Sequence, residues 1–265
     1  MESGELNIRK IDVIRYITPL REGGSLPAIV EGSDGLKYVL KFRGAGQGTK
    51  ALIADLIGAE LARAAGLKVP FLALAQLDEG FGRTEPDEEI QDLLKFSTGL
   101  NLGVYYLSGA ITYDPLVYEM DGLLASKIVW LDAYITNIDR TVKNTNMLYW
   151  NRKIWLIDHG ASLYFHHNIE SWHEQTLQPF SLIKDHVLLP FADKLEEADR
   201  YMRSMINTTV IDAIIDLIPE EFISTEIEKV DVAERRDIYR KFLSTRLQNS
   251  AIFLKEAIDA REALI

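Results

Sequence analysis

Apolar and polar positions follow one pattern through about residue 122 and another beyond it. KIDVIRYITPL (10–20), LPAIVEG (26–32) and LKYVLKF (36–42) are short β-rich runs separated by the turn-forming REGGS and GSDG, which predicts three strands of an antiparallel meander. ALIADLIGAELARAAG (51–66) changes to helical spacing, with Leu52, Leu56, Ile57 and Leu61 apolar and Gly66 as the C-terminal stop. VPFLALAQLD (69–78) reads as a fourth strand, and EGFGRTEPDEEIQD (79–92) as an acidic, solvated loop or short helix. YDPLVYEMDG (113–122) reads as a strand and an acidic turn that close this half.

LLASKIVWLDAYITNI (123–138) then has the apolar spacing of a helix. TNMLYW and RKIWLID form a short hairpin turning at Asn151 and Arg152, and from about residue 193 the pattern is amphipathic and helical. No internal repeat or low-complexity tract is present. The expected class is α+β: a β-rich half with one prominent helix, then a mostly helical half that carries a small hairpin.

Composition narrows the partners. In 265 residues, 47% hydrophobic content gives ample material for a core, and a net charge of −11 argues against a nucleic-acid partner, which would require clustered Lys and Arg. The absence of Cys removes disulfides and thiolate chemistry, and MESGELNIRK lacks the apolar core of a secretory signal. Apolar runs such as KIVWL are far shorter than the roughly 18 residues of a membrane span. The expected location is the cytoplasm, without a membrane partner.

YVLKFRGAGQGTKALIADL has the strand, glycine turn and helix of a dinucleotide fingerprint, but Gly44, Gly46 and Gly48 spell G-x-G-x-G. Thr49 stands where the last glycine belongs, and Lys41 sits in the strand, where a buried Rossmann strand has little use for it. The densest polar cluster lies elsewhere, in NIDRTVKNTNMLYWNRKIWLIDHGASL (137–163). Asp139, Asn144, Asn146 and Asp158 flank the hairpin there and form an oxygen-rich set suited to Mg²⁺. Phosphoryl transfer needs such a set, together with a Lys on the nucleotide phosphates, which Lys41 supplies. The bland alternative is a polar hairpin whose Asn and Asp residues only make turns. His166, His167 and His173 lack the spacing and the Cys partners of a zinc site.

The ordered set resembles the protein-kinase-like superfamily: Asp139 and Asn144 match D-x-x-x-x-N, and Asp158, His159 and Gly160 match D-x-G. GGSLPAIVEG, YVLKFRGAGQG, LARAAGLKVP, NIDRTVKNTNML and WLIDHGASLYF are similar to the HipA-like kinase domain, an atypical branch related to phosphatidylinositol kinases, over roughly residues 10–190. The resemblance implies a two-lobe fold, with an N-lobe over 1–117, a hinge at 118–122 and a helical C-lobe over 123–265. It implies ATP and Mg²⁺ as cofactors, Asp139 as the catalytic carboxylate, Lys41 on the α- and β-phosphates, and Asn144 and Asp158 as metal ligands. Asn146 is the rival to Asn144, because its N-M-L context fits the family's Asn at a strand start.

Several neighbours follow from the same resemblance. Arg140 either orients Asp139, meets a phosphate or makes a structural salt bridge. Gly23, Gly24 and Ser25 fall in the loop over the phosphates, and Glu119 and Met120 in a hinge offering backbone groups to adenine. Gly46 and Gln47 belong to a glycine-rich connection that reaches the phosphates or serves as a plain linker. Counting back from LARAAGL makes Asp55 the acidic partner of Lys41, whereas helical phase puts Glu60 on the apolar side. The implied acceptor is a protein Ser or Thr. A lipid or small-molecule hydroxyl, or a nucleotide-binding module without catalysis, are the competing readings.

Overall fold

A computed structural model describes residues 8–20, 26–84, 86–225 and 228–264. β1 (Arg9–Pro19), β2 (Ala28–Gly32) and β3 (Lys37–Lys41) form the expected antiparallel meander. α1 (Thr49–Ala64) follows, then β4 (Leu72–Leu77), a 3₁₀ turn at Glu79–Thr84 and α2 (Glu88–Phe96), whose first turn is capped by the Asp87 side chain. β5 (Gly99–Tyr105) inserts between β3 and β4, giving the order β1-β2-β3-β5-β4. Parallel pairing of β1 with β4, from Arg9 opposite Ala73 to Asp12 opposite Gln76, closes the sheet into a barrel. β1 serves both neighbours because its register shifts after Val13, and it pairs with β2 from there on.

Period-two alternation divides the strands between two cores. Along β4, Ala73, Ala75 and Leu77 face the barrel interior with Val30, Tyr38 and Leu40, while Leu72 and Leu74 join the larger helical core. In β3 the same alternation turns Tyr38 and Leu40 inward and leaves Lys41 on the other face. α1 is buried from Leu52 to Ala62, packing against β5, α6 and α7 as an apolar helix without a solvent face.

The rest of the chain is mainly helical. β6 (Ile111–Thr112), α3 (Gly122–Ile135), β7 (Met147–Trp150) and β8 (Lys153–Leu156) come first, then 3₁₀ turns and α4 (Trp172–Thr176). α5 (Leu195–Met205), α6 (Thr208–Asp216), α7 (Glu220–Ile223), α8 (Val232–Gln248) and α9 (Ala251–Glu262) complete it. β6, β7 and β8 form a second antiparallel sheet. Asn151 and Arg152 both have positive φ (48° and 59°), the geometry of a tight two-residue hairpin turn. α3 is capped by Asp121, is buried from Ala125 to Ile135 except at Lys127, and ends in a left-handed Thr136. Among the described residues no helix is long and apolar enough to cross a membrane.

Two expectations fail together. YDPLVYEMDG is not a strand: only Ile111 and Thr112 just before it pair, and residues 115–117 turn. The missing strand is β5, in TGLNLGVYY, where Gly99, Asn101 and Gly103 hide the β pattern. Asn101 is fully buried but satisfied, since its amide donates to the Ser97 and Gly99 carbonyls and its oxygen accepts the Arg43 N–H.

α1 also contains Gly58, where a Cβ would lie 2.5 Å from the His159 Cβ. Alanine stabilises an isolated helix by about 1 kcal/mol over glycine. Here Gly58→Ala should instead destabilise by about 1–3 kcal/mol through overpacking, a lowered midpoint in chemical denaturation.

Candidate active site

Lys41 lies at the end of β3 with its side chain only 16% exposed. Its ammonium donates to Asp158 Oδ1 at 2.7 Å and pairs with Asp55 Oδ2 from α1. Burial alone would lower this amine, but Asp158 and Asp55 together hold it above its ordinary value, so it stays charged. Burial would likewise raise Asp55, and Lys41 followed by His159 outweighs it, keeping Asp55 a carboxylate. Glu60, the helical-phase candidate, is not the partner: it takes the Arg63 guanidinium at 3.1 Å, and Arg63 continues to the Val69 and Pro70 carbonyls. Phase could not decide because α1 is buried all round.

Asp55 has a second task. Its Oδ1 accepts the backbone N–H of His159 at 2.7 Å, and one turn later Gly58 leaves room for the His159 ring, which is 1% exposed. D-x-x-G on α1 thus makes a socket for the Asp158–Gly160 loop. Within that loop Asp158 adopts a left-handed φ of 53°, its Oδ1 accepts the Gly160 N–H at 3.3 Å, and its side chain is 43% exposed.

The loop around Asp139 hangs from a buried ionic network. Asp132, in α3 and fully buried, accepts Arg140 Nε at 2.5 Å, Asn137 Nδ2 at 2.9 Å and His186 Nε2 at 2.9 Å. His186 Nδ1 accepts the Leu188 N–H, so Nε2 bears the proton given to Asp132. Burial would raise Asp132, but Arg140 and then His186 keep it below the usual carboxylate range. Arg140 also donates to the Asn146 carbonyl, and Ile157 N–H reaches the same oxygen at 3.0 Å. The loop that carries Asp139 and the one that carries Asp158 are thereby tied together. Arg140 itself is 1% exposed and forms a buried salt bridge with Asp132, which also holds the backbone next to Asp139.

Asp139 is half-buried. Its N–H donates to Asn137 Oδ1, and its Oδ2 accepts Asn144 Nδ2 at 2.8 Å and Asn146 Nδ2 at 3.2 Å. Both amides turn their nitrogens toward the carboxylate, so their oxygens are the donors left for a cation. Asn146 is the more firmly held, at 8% exposure with φ of 46° and its carbonyl doubly bonded, whereas Asn144 sits on an exposed turn. The donor set, one exposed carboxylate and two amide oxygens, fits a hard ion that retains water and phosphate ligands. Among the described residues no group of three or more His, Cys, Asp or Glu is placed to hold a metal ion.

Other expected residues are placed elsewhere. Gly23, Gly24 and Ser25 lie outside the described residues. Gln47 joins Tyr164 Oη at 3.3 Å and His167 Nε2 at 3.1 Å, and Lys50 pairs with Glu228 at 3.2 Å, so side chains of the glycine-rich connection grip the helical part. Gly46 is exposed with φ of 49° and open space beside it. Glu119 and Met120 follow Tyr118, which stacks on Tyr149 of β7, while the barrel strand beside Lys41 ends earlier, at Tyr105. Sequence reading missed Asp132 and His186 altogether. The Asn137 of TNIDR was the signal available for Asp132, because a buried Asn two residues before Asp139 needs an acceptor.

The fold is mixed α+β, and likeness to known proteins gives its class. The family model described as HipA-like kinase matches residues 13–251, and the chain belongs to that family; it is a kinase. The crystal structure of CtkA, a proinflammatory kinase of Helicobacter pylori, superposes with a TM-score of 0.58 at 13% identity, over 98% of this chain and 100% of that one. No curated protein matches the chain in sequence.

His166 provides a pH test of the helical part. It is 1% exposed, its Nδ1 meets Tyr239 Oη at 3.0 Å, and burial, then His167, Lys50 and Arg235, lower its proton affinity well below the ordinary 6.5. The folded state therefore holds it neutral while the unfolded chain protonates it, and stability is lost as pH falls below 6.5. Between about pH 7.5 and about pH 5.5, wild type should lose about 1 kcal/mol relative to His166→Phe in urea denaturation.

Proposed function

We propose that the protein is an ATP- and Mg²⁺-dependent phosphotransferase, a serine/threonine protein kinase of HipA-like type, acting in the cytoplasm. The observation that carries this is Lys41 held charged between Asp55 and Asp158, with the Asp139 loop tied to the Asp158 loop through Arg140. In the two-lobe reading the barrel and α1 are the N-lobe and the helical part the C-lobe. β5 pairs with β3 and ends at Tyr105, which supports reading the backbone of Tyr106, Leu107 and Ser108 as the hinge in place of Glu119 and Met120.

In this mechanism Lys41 binds the α- and β-phosphates, and its contact with Asp158 yields to them on nucleotide binding. Asp55 fixes the direction of the ammonium and, through the His159 amide, the position of Asp158. Asp139 orients the acceptor hydroxyl and takes its proton as the oxygen–phosphorus bond forms and the bond to the leaving ADP oxygen breaks. Asp158 and Asn146, with Asn144 as the alternative, would hold the metal. Bound Mg²⁺ supplies neutralisation of charge on the transferring phosphoryl group.

Incubation with γ-labelled ATP and a cell lysate should label a discrete protein product. Asp139→Ala should lower that transfer about a hundred- to ten-thousand-fold while leaving ATP binding largely intact. Asn146→Ala should raise the Mg²⁺ requirement more than Asn144→Ala does. Wild type that binds Mg·ATP and transfers nothing would instead be a nucleotide-binding module.

A further inference from the structure

Arg246, in α8, is 2% exposed and has no carboxylate partner among the described residues. Its guanidinium is saturated by carbonyls. Nε donates to Tyr134 O and Nη2 to Ala133 O, both at 2.9 Å, and Nη1 reaches Gln178 O at 3.0 Å, Thr176 O at 3.1 Å and Gln175 O at 3.5 Å. The first two belong to the last turn of α3 and the others to the end of α4 and the residues after it, so one cation caps two helix C-termini at once. The Phe242 and Phe253 rings lie under it, with centroids at 5.7 and 5.2 Å.

The two helix ends it joins bear on Asp139. α3 runs through Thr136 and Ile138 directly into Asp139, and the chain after α4 continues to Phe180 and Leu182. Between them opens a groove of about 300 Å³. Ile138 and Leu182 are on its walls, and the buried Phe165, Phe242 and Arg246 are at its base. Arg246 is its sole ionised lining residue, and that charge is already taken up by carbonyls. The groove therefore favours an uncharged, apolar occupant. Its link to the candidate catalytic loop is Ile138, the chain neighbour of Asp139, and its volume suits one bulky side chain better than a lipid acyl chain.

We propose that this groove receives the acceptor, as an extended peptide with a bulky apolar residue next to the phosphorylated Ser or Thr, and that Arg246 is the positioning residue that sets its walls. The proposal rests on the protein-kinase reading and specifies its substrate. Arg246 acts through the backbone it holds, without touching the reacting atoms.

The test uses the full chain, γ-labelled ATP and a Ser/Thr peptide library in which each flanking position is varied among Leu, Phe, Ala, Lys and Asp. Binding of a fluorescent ATP analogue is measured alongside. Wild type should prefer Leu or Phe over Asp at one flanking position by about tenfold or more. Leu182→Asp, at a 48% exposed position, should lose that preference while its melting temperature stays near that of wild type. Arg246→Lys should raise the peptide KM several-fold while kcat at saturating peptide holds. Absence of a preference in wild type, its survival in Leu182→Asp, or a fall of kcat in Arg246→Lys in step with its melting temperature would each overturn the proposal. Wild type that binds the ATP analogue and phosphorylates no peptide also overturns it, leaving nucleotide binding intact. Failure to bind the analogue at all would remove the kinase reading first.

Discussion

A single ammonium group organises this protein. Lys41 belongs to a barrel strand, Asp55 to the central helix and Asp158 to a loop beyond the second sheet, 117 residues from the lysine. Lys41 and Asp55 would each be costly alone in their buried setting, and removing one partner of such a buried pair leaves an uncompensated charge worth about 3–5 kcal/mol, whereas Asp158 is partly solvated. Together they are stable, and they fix how the barrel, α1 and the loop meet. In the proposed mechanism the same charge meets the nucleotide phosphates.

The second anchor differs in kind. Asp132, Arg140, Asn137 and His186 are sealed from solvent and do no chemistry, yet they set the backbone on which Asp139 and Asn146 stand. Asp139 itself is held lightly, by two side-chain amides. A rigid frame supporting a loosely engaged carboxylate is consistent with the proposed role of Asp139, which would exchange these partners for a substrate hydroxyl. Arg246 extends the same logic to the next segment of backbone.

Much of the site could be read in the sequence because its chemistry is concentrated in one stretch, Asp139 to Asp158, and Lys41 sits in a strand where a buried lysine needs a reason. The meander, α1 and the Asn151–Arg152 turn follow from local periodicity and turn chemistry. What escaped is long-range or locally atypical. β5 carries Gly99, Asn101 and Gly103, each explained only by its neighbours: Asn101 by the carbonyls it satisfies, and Gly103 by Tyr38 packed against it. Barrel closure depends on pairing β1 with β4 across the intervening chain, and His186 finds Asp132 across 54 residues, neither of which a local window contains. Gly58 looked like an ordinary helix glycine until His159 was packed on it.

The central claim, that the Lys41–Asp158 pair is a nucleotide-phosphate site, is tested most directly by titration calorimetry with a non-hydrolysable ATP analogue in the presence and absence of Mg²⁺. The account predicts Mg²⁺-dependent binding to wild type, roughly tenfold or more weakening in Lys41→Met, and loss of the Mg²⁺ dependence in Asp158→Asn. Equal affinity in wild type and Lys41→Met, or binding indifferent to Mg²⁺ in wild type, would contradict it.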